Sequence, residues 1–176
     1  MTELQLRDAV ASDIPALHRL IESAYRGESS RAGWTTEADL LEGQRTDPDE
    51  LAGILADPDQ ALLTGWRDGS LVASVLIARR GETLGYFGML SVDPGLQSAG
   101  LGRRMVAAAE TALADRFEVR RIRIQVFPQR ATLIGWYRRL GYGETGETIP
   151  FPYDDPRLGL PLLDDLHFAV MEKVLP

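Results

Sequence analysis

Hydrophobic positions along the chain follow two rhythms, one helical and one extended. Residues 3–7 alternate, as a short strand does. Ile14, Leu17, Ile21 and Ala24 recur at helical spacing, so a helix is expected from a cap at Ser12 or Asp13 to about Tyr25, with Pro15 in its first turn. Gly27 to Gly33 reads as loop, Thr35 or Thr36 opens a helix over Glu37 to about Gly43, and Asp47-Pro48 opens another over 48–56. Extended segments follow. Ala61–Arg67 and Ser70–Arg79 flank the hairpin turn Asp68-Gly69, and Leu84–Val92 forms a third strand. The glycines inside that strand point to a bulge or a close backbone approach.

After the turn Asp93-Pro94-Gly95 the helical rhythm returns over 101–115, with Leu101, Met105, Ala108, Ala109 and Ala112 on one stripe. Residues 120–127 alternate with Ile122, Ile124 and Val126 on one side, 130–139 are helical up to Gly141, 143–165 read as irregular, and His167–Val174 is a last strand. The sum is one domain over residues 1–176, a mixed α/β fold with a strand–helix–strand–helix unit at its centre.

Composition narrows the chemistry. The chain has no cysteine, which excludes disulfides, thiolate metal sites and a cysteine nucleophile, and with only His18 and His167 no metal site is expected. A net charge of −7 argues against nucleic-acid binding. No apolar run reaches the roughly 20 residues that span a bilayer, so no membrane association is expected. Residues 1–8 carry no basic-then-apolar leader pattern, which points to the cytoplasm. The charge is uneven: residues 101–140 hold nine arginines against three acids, +6, which leaves −13 elsewhere. That asymmetry fits either an anion-facing surface or a solvated helix face with a strand edge.

Strand 84–92, the Asp-Pro-Gly turn and Gln97-Ser98-Ala99-Gly100-Leu101-Gly102-Arg103-Arg104 lead into a helix. A helix start presents unpaired N–H groups and the positive end of the dipole, and Gly100 and Gly102 carry no side chain to obstruct an anion. A nucleotide P-loop would need Gly-Lys-Ser/Thr where Gly102-Arg103-Arg104 stands. A dinucleotide fingerprint would need glycine where Met105 stands.

Gln97-x-x-Gly100-x-Gly102 resembles the pyrophosphate-binding motif of the GCN5-related N-acetyltransferases. Ile134-Gly135-Trp136-Tyr137-Arg138-Arg139-Leu140-Gly141-Tyr142 is similar to that family's helix with a tyrosine and a Leu-Gly-aromatic end, about 40 residues on. The element order matches over nearly the whole chain.

The resemblance implies a mixed, mostly antiparallel, splayed central sheet flanked by helices, with acetyl-CoA as co-substrate. It implies that the amides of Gln97, Ser98, Ala99, Gly100, Leu101 and Gly102, with Arg103 and Arg104 beside them, hold the pyrophosphate. The backbone of Leu90, Ser91 and Val92 would run along the pantetheine arm, the Leu90 N–H would face the thioester oxygen, and Tyr137 would be the general acid. The family often has asparagine where Arg130 stands; Arg130 is instead a candidate phosphate contact.

The acceptor implied is a primary amine of a small molecule, with acetyl transferred directly. Other acyl-CoA donors, a protein N-terminus as acceptor and a non-catalytic acyl-CoA sensor are the alternatives, and a homodimer is possible at family level. Trp34, Thr35, Glu37, Tyr86 and Phe151 are the candidates around the acceptor. The segment Trp34 to Asp39 could receive a cation, partly through cation–π contact, or serve as a capping box from Thr36 to Asp39. Candidate bases are Glu37, Asp39, Glu82 and His167, with a water chain as the alternative, while His18 reads as half-buried packing.

Overall fold

The computed structural model describes residues 3–33 and 35–176, with backbone only for residues 97–99. In chain order the elements are β1 Gln5–Asp8, α1 Ile14–Tyr25, α2 Gly27–Ser30, β2 Leu41–Glu42, α3 Pro48–Ala56, β3 Gln60–Arg67, β4 Ser70–Arg79 and β5 Leu84–Val92. These are followed by α4 Leu101–Phe117, β6 Arg121–Val126, α5 Ala131–Arg139, β7 Gly143–Pro150, β8 Leu160–Pro161 and β9 His167–Val174. Among the described residues seven strands form one sheet in the order β1-β3-β4-β5-β6-β9-β7. Its pairings are antiparallel except β5 with β6, which run parallel. The expected mixed, mostly antiparallel sheet flanked by helices is therefore present.

The two faces of the sheet are covered by different helices. On one face Leu101, Met105, Ala109 and Leu113 of α4 and Leu133, Ile134 and Tyr137 of α5 pack on Val75, Ile77, Phe87 and Ile122. On the other, Leu17 and Ile21 of α1 and Leu51 and Ile54 of α3 pack on Leu62, Leu76 and Met89. Of the stripe expected on α4, Leu101, Met105 and Ala109 are buried and Ala108 and Ala112 half-buried against the same core, and Val106 and Leu113 complete the buried face. A third cluster, Leu40, Leu41, Phe127, Phe151 and Leu166, lies outside these layers.

Local pattern failed in three segments. Residues 37–43 do not form a helix. Leu40 N–H and Leu41 N–H both donate to Glu37 C=O in a single turn, and the chain then enters β2, which pairs with β8. Glu37 is drawn inward by ion pairs and Leu40 and Leu41 are buried in the third cluster, so tertiary contacts override helix propensity here. The loop 27–33 contains the short helix α2.

The segment 143–165, expected to be irregular, supplies β7 and β8. β7 is an almost wholly exposed edge strand of Gly, Glu and Thr, without the apolar alternation that marks a strand, and it is held by backbone pairing to β9. Asp13 is the N-cap residue of α1 as expected, but its carboxylate does not bond the helix: it accepts from Val10 N–H and from both terminal nitrogens of Arg7, at 2.7 and 2.9 Å.

Gly85 seats α4 on the sheet. A Cβ there would come within 2.9 Å of Val119 Cγ2 and 3.1 Å of Leu113 Cδ2, both on fully buried side chains. Gly85→Ala is expected to lower the unfolding free energy by about 1–3 kcal/mol, the range for overpacking a dense core, read from urea denaturation.

Candidate active site

The site begins where β5 leaves β6. The two strands pair only at Leu84–Arg121, Gly85–Ile122 and Tyr86–Arg123, although β5 continues to Val92 and β6 to Val126. Beyond Tyr86 they part. On its other edge β5 carries a bulge: Ser74 pairs with Ser91 and Leu76 with Gly88, so Val75 faces two residues, Met89 and Leu90. Met89 takes φ 49°, a left-handed conformation unfavourable for a side chain of its size. The buried Tyr25 hydroxyl donates to Leu90 C=O at 2.6 Å and pins the bulge from the α1 side. The result is an open wedge with the Met89–Leu90 backbone at its mouth.

At the end of β5 the chain turns into α4 through Gly100, which has φ 73° and open space where a Cβ would stand. A 3-10 turn over Pro94–Ala99 connects the wedge strand to the start of this 17-residue helix. Gly102 serves packing as well, since a Cβ there would touch the Trp136 ring at 3.6 Å. Arg103 and Arg104 are exposed. Arg104 donates to Leu4 C=O at 3.4 Å, which turns it to β1 rather than to an anion at the helix start.

The wedge opens into a cavity of about 370 Å³, lined by both splayed strands, the C-terminus of α1, α5 and the segment 149–158. Tyr137 reaches it from α5, packed beside Phe87 and Trp136 with ring centroids 6.0 and 4.9 Å away. Its hydroxyl has no hydrogen-bond partner among the described residues. Burial raises its pKa well above the ordinary phenol value, Tyr25 adds to the rise and Arg130 opposes it. Burial likewise pushes Tyr25 up to about 12.

Of the acceptor candidates, Glu37, Tyr86 and Phe151 line this cavity. Thr35 is buried beside it and contributes its C=O to Arg130 at 2.6 Å. Trp34 lies outside the described residues. Of the candidate bases only Glu37 is at the cavity wall; Asp39 pairs with Arg31, and His167 contacts Asp165 C=O. Glu37 Oε2 is 2.7 Å from Arg26 and Oε1 is 3.1 Å from Arg130. Both oxygens are held by guanidinium groups, so Glu37 fixes those two cations at the cavity wall. Arg130, the candidate phosphate contact, is held by Glu37 and Thr35.

Sequence reading missed Tyr25, Arg26 and Arg45, all of which line the cavity. Arg45 carries a faint signal, as the only basic residue between 32 and 66 in a stretch with eight acids.

Residues 15–142, most of the chain, match the model of the acetyltransferase (GNAT) family. The chain belongs to that family. A mycothiol acetyltransferase of Cellulomonas flavigena is 28% identical over 155 residues, 81% of this chain but 44% of that protein, so the chain spans less than half the length of this relative.

Solved structures share the GNAT fold at low identity. The ribosomal-protein-S18-alanine N-acetyltransferase from Escherichia coli superposes with TM-score 0.70 at 15% identity, covering 98% of this chain and 94% of that one. The ribosomal-protein-alanine N-acetyltransferase from Brucella melitensis gives 0.71 at 20%, covering 97% and 99%. The yncA structure from Salmonella typhimurium, with its cofactor acetyl-CoA, gives 0.71 at 18%, covering 99% and 95%.

The Arg26–Glu37 pair is sealed, with side-chain exposures of 5% and 9%. Glu37→Ala leaves two buried guanidiniums without their carboxylate and is expected to cost about 3–5 kcal/mol of unfolding free energy, measured by urea titration.

Proposed function

We propose that the protein transfers an acetyl group from acetyl-CoA to a primary amine of a small molecule, directly and without an acyl-enzyme. The observation that supports this reading is the bulged, splayed β5: Leu90 and Tyr137 line one cavity, and the same strand leads on to the helix that begins after Gly100. In a GNAT fold that wedge takes the pantetheine arm along Leu90, Ser91 and Val92. The amides from Gln97 to Gly102 take the pyrophosphate, with Arg103 beside them.

The amine nitrogen attacks the thioester carbon, a C–N bond forms and the C–S bond breaks. Negative charge grows first on the carbonyl oxygen, to which the Leu90 N–H donates, and then on sulfur. Tyr137 donates its proton to the departing thiolate, and the proton that the attacking nitrogen sheds as the amide forms returns the tyrosinate to its phenol by way of solvent. Burial makes this phenol a weaker acid than it is in water, and the same burial makes the thiolate a stronger base, so the two remain matched. The ammonium of the acceptor loses its proton to solvent before attack, because Glu37, the cavity-lining carboxylate among the described residues, is held by two arginines.

A cavity of 370 Å³ roofed by Ile149–Pro152 and Leu158 suits a small molecule better than an extended polypeptide, which favours that acceptor over a protein N-terminus. Thiol release from acetyl-CoA over a panel of amines tests the reading. Absence of acceptor-dependent release with any acyl-CoA would leave a sensor.

Tyr137→Phe is expected to lower kcat by about 10²-fold or more while acetyl-CoA affinity is retained. Equal turnover in the variant removes Tyr137 from the mechanism.

The pH profile follows from the direction of the Tyr137 shift. The phenol must be protonated to act, and its pKa lies above the ordinary value near 10. In stopped assays kcat/KM is therefore expected to rise with pH as the free amine accumulates, with no alkaline fall below about pH 10.

A further inference from the structure

The charge lining the cavity does not suit a plain cationic amine. Among the described residues its wall contains Arg26, Arg45 and Arg130 against one acid, Glu37, a surplus of two positive charges. Arg26 and Arg130 share Glu37, and their Nε atoms are sealed. Arg45 differs from both. No carboxylate stands within ion-pair distance of its guanidinium among the described residues.

Neighbouring acids are engaged elsewhere. Glu22 Oε1 accepts from the Arg45 and Thr46 amides, Asp47 caps α3 through Glu50 N–H, and Glu50 accepts from the Thr46 hydroxyl. The Arg45 guanidinium lies 5.3 Å from the centroid of the Tyr25 ring, whose hydroxyl is bonded to Leu90 C=O. The unpaired cation therefore stands about one tyrosine ring away from the backbone that meets the thioester.

We propose that the acceptor is an amine that also bears a carboxylate, of the amino-acid kind with an apolar body, and that Arg45 receives that carboxylate; this rests on the acetyl-transfer reading above. An ammonium alone would be repelled by the surplus charge, whereas a zwitterion brings its own counterion. Guanidinium is suited to bidentate capture of a planar carboxylate. Capture at Arg45 leaves the amine facing Leu90, and Leu41, Phe127, Phe151, Leu158 and Phe168 form an apolar wall for the remainder of the molecule.

The test compares leucine, methionine, phenylalanine and tryptophan with their carboxamides in acetyl-CoA thiol release by the full chain. The carboxylate form of at least one is expected to be used with kcat/KM about 10-fold or more above its amide, as loss of a charge-assisted hydrogen bond implies. Arg45→Met, which keeps the apolar stem, should erase that preference, and Arg45→Lys should restore part of it; retained CoA binding certifies that both variants fold. Amides used as well as or better than acids, or an undiminished preference in R45M, overturn the proposal.

Calorimetric binding of the N-acetyl amino acids and their N-acetyl amides to the CoA-saturated protein decides the same point without turnover. If no amine releases thiol, the transfer reading fails. A carboxylate preference in binding that R45M abolishes still upholds the anion site, and equal binding of acid and amide overturns it.

Discussion

The site depends on one interruption of backbone pairing, the parting of β5 from β6 after Tyr86. A parallel pair would otherwise continue to Val92 and Val126 and close the wedge. Each departing strand is held by something else. β5 keeps its ladder to β4 through the bulge, and β6 keeps its ladder to β9 along its whole length. The strained Met89 is buried against α1 and its neighbour Leu90 is tied to Tyr25, so packing and one hydrogen bond sustain a backbone that would be disfavoured alone.

The Arg26–Glu37–Arg130 cluster is the second organising feature, and it does not follow from stability. Two guanidiniums and one carboxylate taken out of water rarely repay their desolvation. Here the cluster ties the end of α1, the turn at 35–37 and the start of α5 to one point, and it anchors Leu158 C=O through Arg26 at 3.0 Å. Positions that share no element are thus held at fixed separation around the cavity. That is the geometry a binding site requires, and it accounts for the turn at 37–40 where local propensity favoured a helix.

What the sequence revealed and what it hid divide along physical lines. β3, β4, β5, α3 and α4 were legible because their apolar periods are unbroken and their ends carry Pro or Gly punctuation. β7 was hidden because its residues are polar on both faces and its strand character comes wholly from β9. Gly100 and Tyr137 were legible because they sit in local motifs at a fixed spacing. Tyr25, Arg26 and Arg45 were hidden because they meet in the cavity from α1 and from the turn before α3, a juxtaposition that no local window contains.

The cavity's positive surplus bears on the reaction itself, not only on its substrate. In the proposed transfer, negative charge develops on the carbonyl oxygen and then on sulfur, in a space where Arg130 already opposes the burial that raises Tyr137. A fixed cation in a low-dielectric pocket favours both developing charges and needs no reorganisation at the moment of transfer. Glu37 moderates this field: by pairing Arg130 it holds the guanidinium near Tyr25, 6.0 Å from the ring centroid. Arg45 has no such partner among the described residues and is the arginine that the proposal gives to the substrate. With two of the three arginines clamped and one without a carboxylate partner among the described residues, the proposed acceptor site and the proposed charge stabilisation would draw on different members of the same positive pocket.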